Sequence, residues 1–526
     1  MEKEFDFLKD LYRKIPCQMA VCFVTAVVTG FFTHLYMLTH KLPNWDDVNC
    51  FADAGSTNYL GRWMLEILKN VLTRYSNPWL NGSVTIFLLA GCCCLILRIL
   101  ELESITSAVL VPFVIVTFPS VASTMAFMFT VDMYAAGLLL ILLGVFLTRK
   151  FRYGFLPGMI LCILGLGTYQ AYICFAIVLF IFCIFLDALR GKAEKELVLN
   201  IIKAVGVLGI GVFAYIIVSR LNFPDIVNTE YAGAGTMGKI VLSELPREIL
   251  RCYKRVLEYF ILKPFSFVSK PEHITNILVC VLCVVFFVWL MVSKKMWNRR
   301  FHFIICLLTM AVTPLGIAFV YVMSPEASFS MLMFFQYALV YIFLLVLVEN
   351  LWKEKTEEAV SGTKKAVSIM AICLLFLTGC FHYVVTGEAY FRMDLAKERV
   401  DAYYNRLLMR LEEEGYEHGD AFLILGHSQD GDGLWLPPEH YEMEDEKYAD
   451  FSGISPEYGI LTSGVRENYM RIYFGMEVPW VLEEEKNAIL EGSEFQEMPI
   501  YPKEGCVKEI NGIWVIKISE GQSKQK

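Results

Sequence analysis

The feature that most constrains this chain is a series of apolar runs, most of them about 20 residues long, which recur as far as residue 386. A helix of that length spans the hydrocarbon core of a bilayer. Of the 526 residues, 56% are hydrophobic and only 19% are charged, so the runs predict a polytopic α-helical membrane protein. About eleven transmembrane helices are expected, at residues 15–38, 79–97, 105–122, 127–148, 154–171, 172–189, 201–220, 274–293, 302–323, 329–349 and 367–386.

The short loops between these runs predict the orientation of the chain. Lys and Arg cluster in alternate loops, for example at Arg149 and Lys150 and again at Arg299 and Arg300, whereas the turns 119–124, 169–172 and 324–330 contain neither. An excess of Lys and Arg is typical of cytoplasmic loops. We therefore expect a cytoplasmic N-terminus and an extracytoplasmic C-terminal tail.

The residues after the last run predict a second domain. From Glu388 onward the chain has 29 acidic and 14 basic residues, whereas the part before it has 25 and 32. Apolar spacing predicts a helix over 388–414 and buried strands at 421–425 and 513–518. We expect a membrane body at 1–387 and a small extracytoplasmic α/β domain at 388–526. No basic patch is dense enough to predict a nucleic-acid partner.

Two adjacent carboxylates, Asp46 and Asp47, directly follow the first apolar run. One interpretation is a solvated loop, in which such a pair costs little. The other is a general base, a cation site, or both, since a carboxylate can take the proton from a sugar hydroxyl. Behind the pair, apolar residues at 3/4 spacing predict an amphipathic helix over 62–75. This helix lies on the membrane surface or packs on the protein itself, and in either position it would hold the pair near the membrane surface.

Further polar residues lie near the predicted outer ends of the spans. Arg62 and Lys263 can bind a phosphate. The alternative is that these side chains only extend their charged groups to the membrane–water interface, as Lys and Arg at span ends often do. Asp132 is an ionisable residue within a span and so a functional candidate, with helix capping as an equal alternative. Tyr169 and Gln170 can stack on and hydrogen-bond a sugar, or belong to an interfacial aromatic belt.

Several short motifs, in their order along the chain, resemble the Gtr-type bacterial membrane glucosyltransferases. They are Asn44-Trp45-Asp46-Asp47, Gly61-Arg62-Trp63, Phe118-Pro119-Ser120, Tyr169-Gln170-Ala171-Tyr172 and Val478-Pro479-Trp480. The resemblance implies a GT-C type fold in the bacterial cell membrane, with the active site outside the cell. It implies an undecaprenyl-phosphate-linked sugar, usually glucose, as donor and a surface glycan as acceptor. It makes Asp46 or Asp47 the catalytic base. Arg62 and Trp63, in the second motif, are further candidates for substrate binding. A small flippase and a cytoplasmic donor synthase are the further partners that the resemblance suggests.

Other classes of protein share some of these features. A transporter or flippase for lipid-linked sugars needs polar residues at mid-span, and the spans here are nearly free of charge at that depth. A surface-polysaccharide polymerase is not separated from a transferase by these residues, and a scaffold that binds through its acidic tail is a third alternative. The sequence has no nucleotide-binding motif and predicts no metal site. It requires no cofactor, and a divalent cation stays an open alternative.

Overall fold

A computed structural model describes residues 15–52, 60–222, 243–325, 329–353, 362–426, 445–448, 450–454, 460–461 and 464–519. The chain divides by its contacts into two compact units. The first unit comprises Met1–Lys41, Ala52–Glu388 and Asp450–Ser452, and the second comprises Leu42–Phe51, Ala389–Ala449 and Gly453–Lys526. The segment that carries Asp46 and Asp47 therefore belongs to the second unit.

Helices dominate both units. The α-helices, in chain order, are α1 Cys17–Thr39, α2 Trp45–Asn49, α3 Met64–Leu68, α4 Pro78–Leu100, α5 Ile105–Thr117, α6 Pro119–Met125, α7 Val131–Lys150, α8 Phe155–Leu166, α9 Ile173–Leu189, α10 Glu194–Asn222, α11 Leu245–Leu257, α12 Lys270–Ser293, α13 Arg300–Ile317, α14 Val320–Met323, α15 Ala338–Trp352, α16 Gly362–Glu414, α17 Val465–Tyr473, α18 Glu483–Glu491 and α19 Ser493–Glu497. Short 3-10 turns lie at Gln170–Tyr172, Met296–Asn298, Met331–Met333, Phe335–Tyr337 and Asp445–Tyr448, and a π-helical turn lies at Glu258–Leu262.

Apolar helices of membrane-spanning length confirm a polytopic helical membrane protein. In the described ranges nine helical stretches are long and apolar enough to cross a bilayer. They are α1, α4, α7, Gln170–Leu189, α10, α12, α13, Phe335–Trp352 and α16. The pair α5 and α6 would be a tenth, bent by 47°. The predicted fifth span corresponds to α8, which has only 12 residues, so the count of eleven stays a prediction.

The bend between α5 and α6 follows from one proline. Phe118 has an extended backbone, with φ −58° and ψ 134°, and Pro119 opens the next helix. The ring of a proline disfavours the helical conformation in the residue before it. The predicted span 105–122 is therefore broken near its end, and the residues Phe118-Pro119-Ser120 form the break.

The predicted surface helix over 62–75 is wrong, because the helix there is the five-residue α3. Beyond Leu68 the chain forms turns, in which the Asn70 amide bonds the Ile67 carbonyl. The Thr73 amide and hydroxyl both donate to the carboxylate of Asp132, on α7. A continuing helix would direct that amide to the carbonyl four residues earlier, so a tertiary hydrogen bond replaces the helical one.

The predicted last span and the predicted tail helix are one continuous helix, α16, of 53 residues. Gly387 is the weakest helix former at the expected boundary. A glycine in a helix costs only about 1 kcal/mol relative to alanine, which is too little to end a helix that is otherwise well packed. Residues of α16 up to Glu388 belong to the first unit, and those from Ala389 belong to the second.

Close helix packing in the first unit depends on small residues. A Cβ atom on Gly144 of α7 would lie 2.7 Å from the Gly158 carbonyl oxygen of α8, and a Cβ on Gly158 would lie 2.6 Å from the Gly144 oxygen. Membrane helices approach each other this closely where glycines face each other. This contact seats α8 against α7, just before the turn that carries Tyr169 and Gln170.

The second unit is built around a three-stranded sheet. Its strands are β1 Phe422–Leu425, β2 Val507–Ile510 and β3 Ile513–Lys517, in the spatial order β1-β3-β2, with β1 parallel and β2 antiparallel to β3. The predicted strands at 421–425 and 513–518 are thus confirmed, whereas β2 was not predicted. One side of the sheet packs against the last turns of α16 and against α17, and Val48 of α2 belongs to that core. The other side packs against α18 and α19.

Candidate active site

The acidic pair begins α2 and is fixed by a reciprocal cap. The Asn44 side-chain oxygen accepts hydrogen bonds from the amides of Asp46, at 2.8 Å, and Asp47, at 2.9 Å. In return, the Asn44 amide donates to Asp47 Oδ2 at 3.3 Å. The side chain of Asp47 is buried, with 2% of its surface exposed, whereas Asp46 is half-buried. The two carboxylates therefore have different surroundings although they are adjacent in sequence.

A polar cluster of the second unit lies beside α2. Asp401 of α16 accepts a hydrogen bond from Tyr469 at 2.6 Å and forms an ion pair with Lys397 at 2.6 Å. The ring of Tyr473, which stacks on Tyr469 with 4.6 Å between centroids, lies 5.9 Å from the Lys397 ammonium. Burial raises the pKa of Tyr473, and the negative charges of Asp47 and Asp401 raise it further. The phenol stays protonated at neutral pH and can act as a hydrogen-bond donor.

Helix packing brings this cluster to the acidic pair. α17 packs against α2, and the Asn468 side-chain amide donates to Asn49 Oδ1 at 3.1 Å. The sequence analysis missed Lys397, Asp401, Tyr469 and Tyr473. Their i,i+4 spacings indicate two pairs on helix faces, but no local pattern indicates that both pairs meet a segment more than 340 residues earlier in the chain.

In the first unit, Arg62 lies among aromatic rings. Its Nη1 donates to the Tyr134 hydroxyl at 2.9 Å, and its guanidinium lies 5.2 Å from the centre of the Tyr169 ring. Tyr134 and Tyr169 are themselves stacked, with 4.7 Å between centroids. The structure thus brings Arg62 and Tyr169 together, and it adds Tyr134, which the sequence analysis missed.

Trp63 and Gln170 hold the backbone that presents Arg62. A Cβ atom on Gly167 would lie 2.6 Å from the Trp63 indole, so only glycine fits there, and the Met64 amide bonds the Gly167 carbonyl. Gln170 Nε2 donates to the Leu60 carbonyl and to the Tyr215 hydroxyl, both at 2.8 Å. These contacts anchor the Leu60–Met64 turn against the segment that connects α8 to α9.

Asp132 is fully buried and binds the protein itself. Its Oδ2 accepts from the Thr73 hydroxyl at 2.5 Å and from the Thr73 amide at 3.3 Å, and its Oδ1 accepts from the Met133 amide at 2.9 Å. Oδ2 therefore holds the turn after α3 onto the first turn of α7, whereas Oδ1 accepts the amide of the next residue within α7. Within the described part of the chain, Asp132 forms no hydrogen bond with Arg62 or Tyr169.

Lys263 lies apart from the other candidates of the first unit. It follows the π-helical turn Glu258–Leu262, and its side chain is exposed. Within the described ranges its ammonium group forms no hydrogen bond or ion pair. In the same ranges no group of three or more His, Cys, Asp and Glu side chains could hold a metal ion.

Comparison with known proteins places these residues in a family. A family model described as glucosyl transferase GtrII matches residues 35–348, a range that contains all eight residues predicted from the sequence. No curated protein and no solved structure gives a significant match. Because the matched range covers more than half of the 526 residues, the chain belongs to the GtrII glucosyl transferase family and is a glucosyltransferase.

Proposed function

We propose that this glucosyltransferase moves a glucosyl group from undecaprenyl phosphate to a surface polysaccharide, at the outer face of a bacterial cell membrane. The first unit is then a GT-C type membrane body with a cytoplasmic N-terminus, and the second unit is extracytoplasmic. The family match, the apolar helices and the distribution of Lys and Arg among the loops support this proposal. A polyprenyl carrier keeps its chain in the bilayer, so an enzyme that uses it needs a membrane body.

The observation that carries the proposal is the difference between Asp46 and Asp47. Asp47 is buried and closes the helix cap, whereas Asp46 is half-buried and its carboxylate takes no part in the cap. A catalytic base must be reachable by the hydroxyl whose proton it removes. Asp46 is therefore the base in this proposal, and Asp47 is the residue that fixes the helix presenting it.

The reaction is one displacement at the anomeric carbon of the donor. Asp46 takes the proton of the acceptor hydroxyl, the acceptor oxygen forms a bond to the anomeric carbon, and the bond from that carbon to the phosphate oxygen breaks. The electron pair of the broken bond leaves with the polyprenyl phosphate. No nucleotide takes part, which agrees with the absence of a nucleotide-binding motif from the sequence.

Arg62 is the proposed binding residue for the donor phosphate. A guanidinium binds phosphate oxygens through two parallel hydrogen bonds, and this one is held by the Tyr134 hydroxyl and by the neighbouring rings of Tyr134 and Tyr169. Lys263 is a second candidate for an anion, because its ammonium group is exposed. Trp63, Gln170 and Asp132 act in this proposal by positioning the segment around Arg62.

Transfer of labelled glucose from undecaprenyl-phosphate glucose by the purified full-length protein tests the proposal. The reaction is run with acceptor polysaccharide, without it, and with a chelator. Label that enters the polysaccharide supports transfer, and unchanged transfer with chelator shows that no divalent cation is needed. Lengthened acceptor chains without use of the lipid-linked glucose would instead indicate a polymerase. In the cell, the proposed partners are a small flippase that moves the donor across the membrane and a cytoplasmic synthase that makes it.

A further inference from the structure

A cavity of about 440 Å³ lies in the first unit, where α4, α7 and the connection from α9 to α10 come together. Four of its lining residues are basic, namely Arg98, Arg149, Lys150 and Lys192. Two lining residues are acidic, and Leu97 and Phe146 are part of an apolar wall. We refer to it as the basic cavity. It is formed by residues at which three long helices end, so it lies at the end of the bundle rather than at mid-span.

The acidic groups around the basic cavity are already neutralised. Arg149 forms ion pairs with Asp187 at 3.1 Å and with Glu101 at 2.9 Å. Lys192 also pairs with Asp187, at 3.0 Å, and Arg190 pairs with Glu101. The other lining acid, Glu103, pairs with Lys353, which also pairs with Glu349. Four cations thus meet four carboxylates, so the paired network is neutral as a whole.

Two more cations of the basic cavity have no acidic partner. Arg98, in the last turn of α4, and Lys150, at the end of α7, form no ion pair or side-chain hydrogen bond in the described part of the chain, and both are exposed. The helix ends nearby contribute only about half a negative charge each. A surplus of positive charge therefore faces a space that is large enough for a small anion.

We propose that the basic cavity binds a phosphate-bearing anion, and that the anion is the headgroup of an anionic phospholipid. Basic pockets between membrane helices bind such headgroups. The mixed lining supports a lipid rather than a free ion, because the apolar side chains of Leu97 and Phe146 suit the start of an acyl chain. This site is separate from the candidate active site, and none of the residues assigned to transfer lines it.

Native mass spectrometry of the delipidated full-length protein tests this site with three probes. They are phosphatidylglycerol, phosphatidylcholine and inorganic phosphate. The test variant is Arg98→Gln/Lys150→Gln, and the matched control is Lys195→Gln/Lys365→Gln, which removes two exposed cations that do not line the cavity. We expect the affinity for phosphatidylglycerol to fall about tenfold in the test variant, with the control and the binding of phosphatidylcholine unchanged.

The three probes also distinguish a lipid headgroup from free phosphate as the bound anion. Loss of inorganic phosphate binding in the test variant, without any effect on phosphatidylglycerol, assigns the site to a free anion. Equal losses in the test and control variants, or no binding of either anionic probe by the wild-type protein, would overturn the proposal. If the double variant does not fold, Lys150→Gln alone provides the same comparison, because this side chain is exposed and has no partner among the described residues.

Discussion

Asn44 and Asp47 cap α2 reciprocally. The Asn44 amide donates to the Asp47 carboxylate at 3.3 Å, and the Asp47 amide donates to the Asn44 side-chain oxygen at 2.9 Å. Asp46 donates its amide to the same Asn44 oxygen, but its carboxylate is not part of this exchange. Two residues that are chemically identical and adjacent in sequence are thus divided into a capping acid and a half-buried acid.

This division predicts different effects for the two neutral substitutions. Asp46→Asn removes the proposed base, and we expect the initial rate of glucosyl transfer to fall by at least about 10²-fold, with thermal unfolding unchanged. Asp47→Asn keeps an oxygen that can accept the Asn44 amide, so we expect it to retain most activity. Asp47→Ala loses the cap and should be destabilised by about 1 kcal/mol. Full activity in Asp46→Asn would reject the assignment of the base.

A second prediction concerns the phosphate of the donor. Lys at position 62 keeps the charge but loses the planar fork that binds phosphate through two bonds, so Arg62→Lys should raise the KM for the polyprenyl-phosphate donor about tenfold. Tyr134→Phe removes the hydroxyl that holds Arg62 at 2.9 Å and should raise the same KM by a smaller factor. Arg74→Lys, an exposed arginine in the same loop, is the matched control and should leave the KM unchanged. An unchanged KM in Arg62→Lys, measured at saturating acceptor, would assign donor binding to other residues.

Much of the membrane body could be predicted from the sequence, because a bilayer imposes a minimum apolar length on each span. The strand at residues 513–518 could also be predicted, since its apolar and β-branched residues lie between turns. The sequence did not predict the end of α3 at Leu68. Apolar spacing continues to Tyr75 in the sequence, but Thr73 donates to Asp132, 59 residues away, and no local pattern contains that contact.

The assignment of Asp46 and Asp47 to the second unit could not be predicted from the sequence either. Their position directly after the first span indicates a loop of the membrane body, whereas Val48 lies in one core with Tyr404 and Tyr469. Such long-range packing overrides local patterns, and it also hid Lys397 and Tyr473 from the sequence analysis. The motif residues were predicted because charged and polar residues are unusual beside apolar runs, and not because their contacts could be inferred from the sequence.

A third prediction is that Asp132 stabilises the fold rather than binding substrate. Asp132→Ala would leave the buried amide and hydroxyl of Thr73 without their acceptor, which costs about 1–3 kcal/mol. Thr73→Val removes one of those donors, so the two substitutions should be non-additive by about 1 kcal/mol in a double-mutant cycle of unfolding free energy. If Asp132→Asn unfolds like the wild type but has lost transfer activity, Asp132 has a role in the reaction after all.

A fourth prediction uses the thiol of Cys252, which lies on α11, a helix outside the membrane-spanning stretches. Its side chain is fully buried, and Sγ donates a hydrogen bond to the Ala318 carbonyl at 3.1 Å. Burial, followed by the negative charge of Glu248, raises the pKa of Cys252 to about 12. Only the thiolate reacts readily with maleimides, so peptide mapping at pH 8 should find Cys252 unlabelled in the folded protein and labelled after unfolding.

The same shift predicts how stability depends on pH. The folded state holds the proton more tightly than the unfolded state, so this contribution to stability is complete below pH 9, the ordinary pKa of the thiol, and is lost as the pH rises towards about 12. The melting temperature of the wild type should therefore fall more steeply between pH 9 and pH 11 than that of Cys252→Ala, which lacks the group. Cys252→Ser is a control that keeps a hydrogen-bond donor without titrating in this range. Melting temperatures that change in parallel with pH for all three proteins would show that the thiol titrates normally. Rapid labelling of Cys252 in the folded state would show that the thiol is accessible.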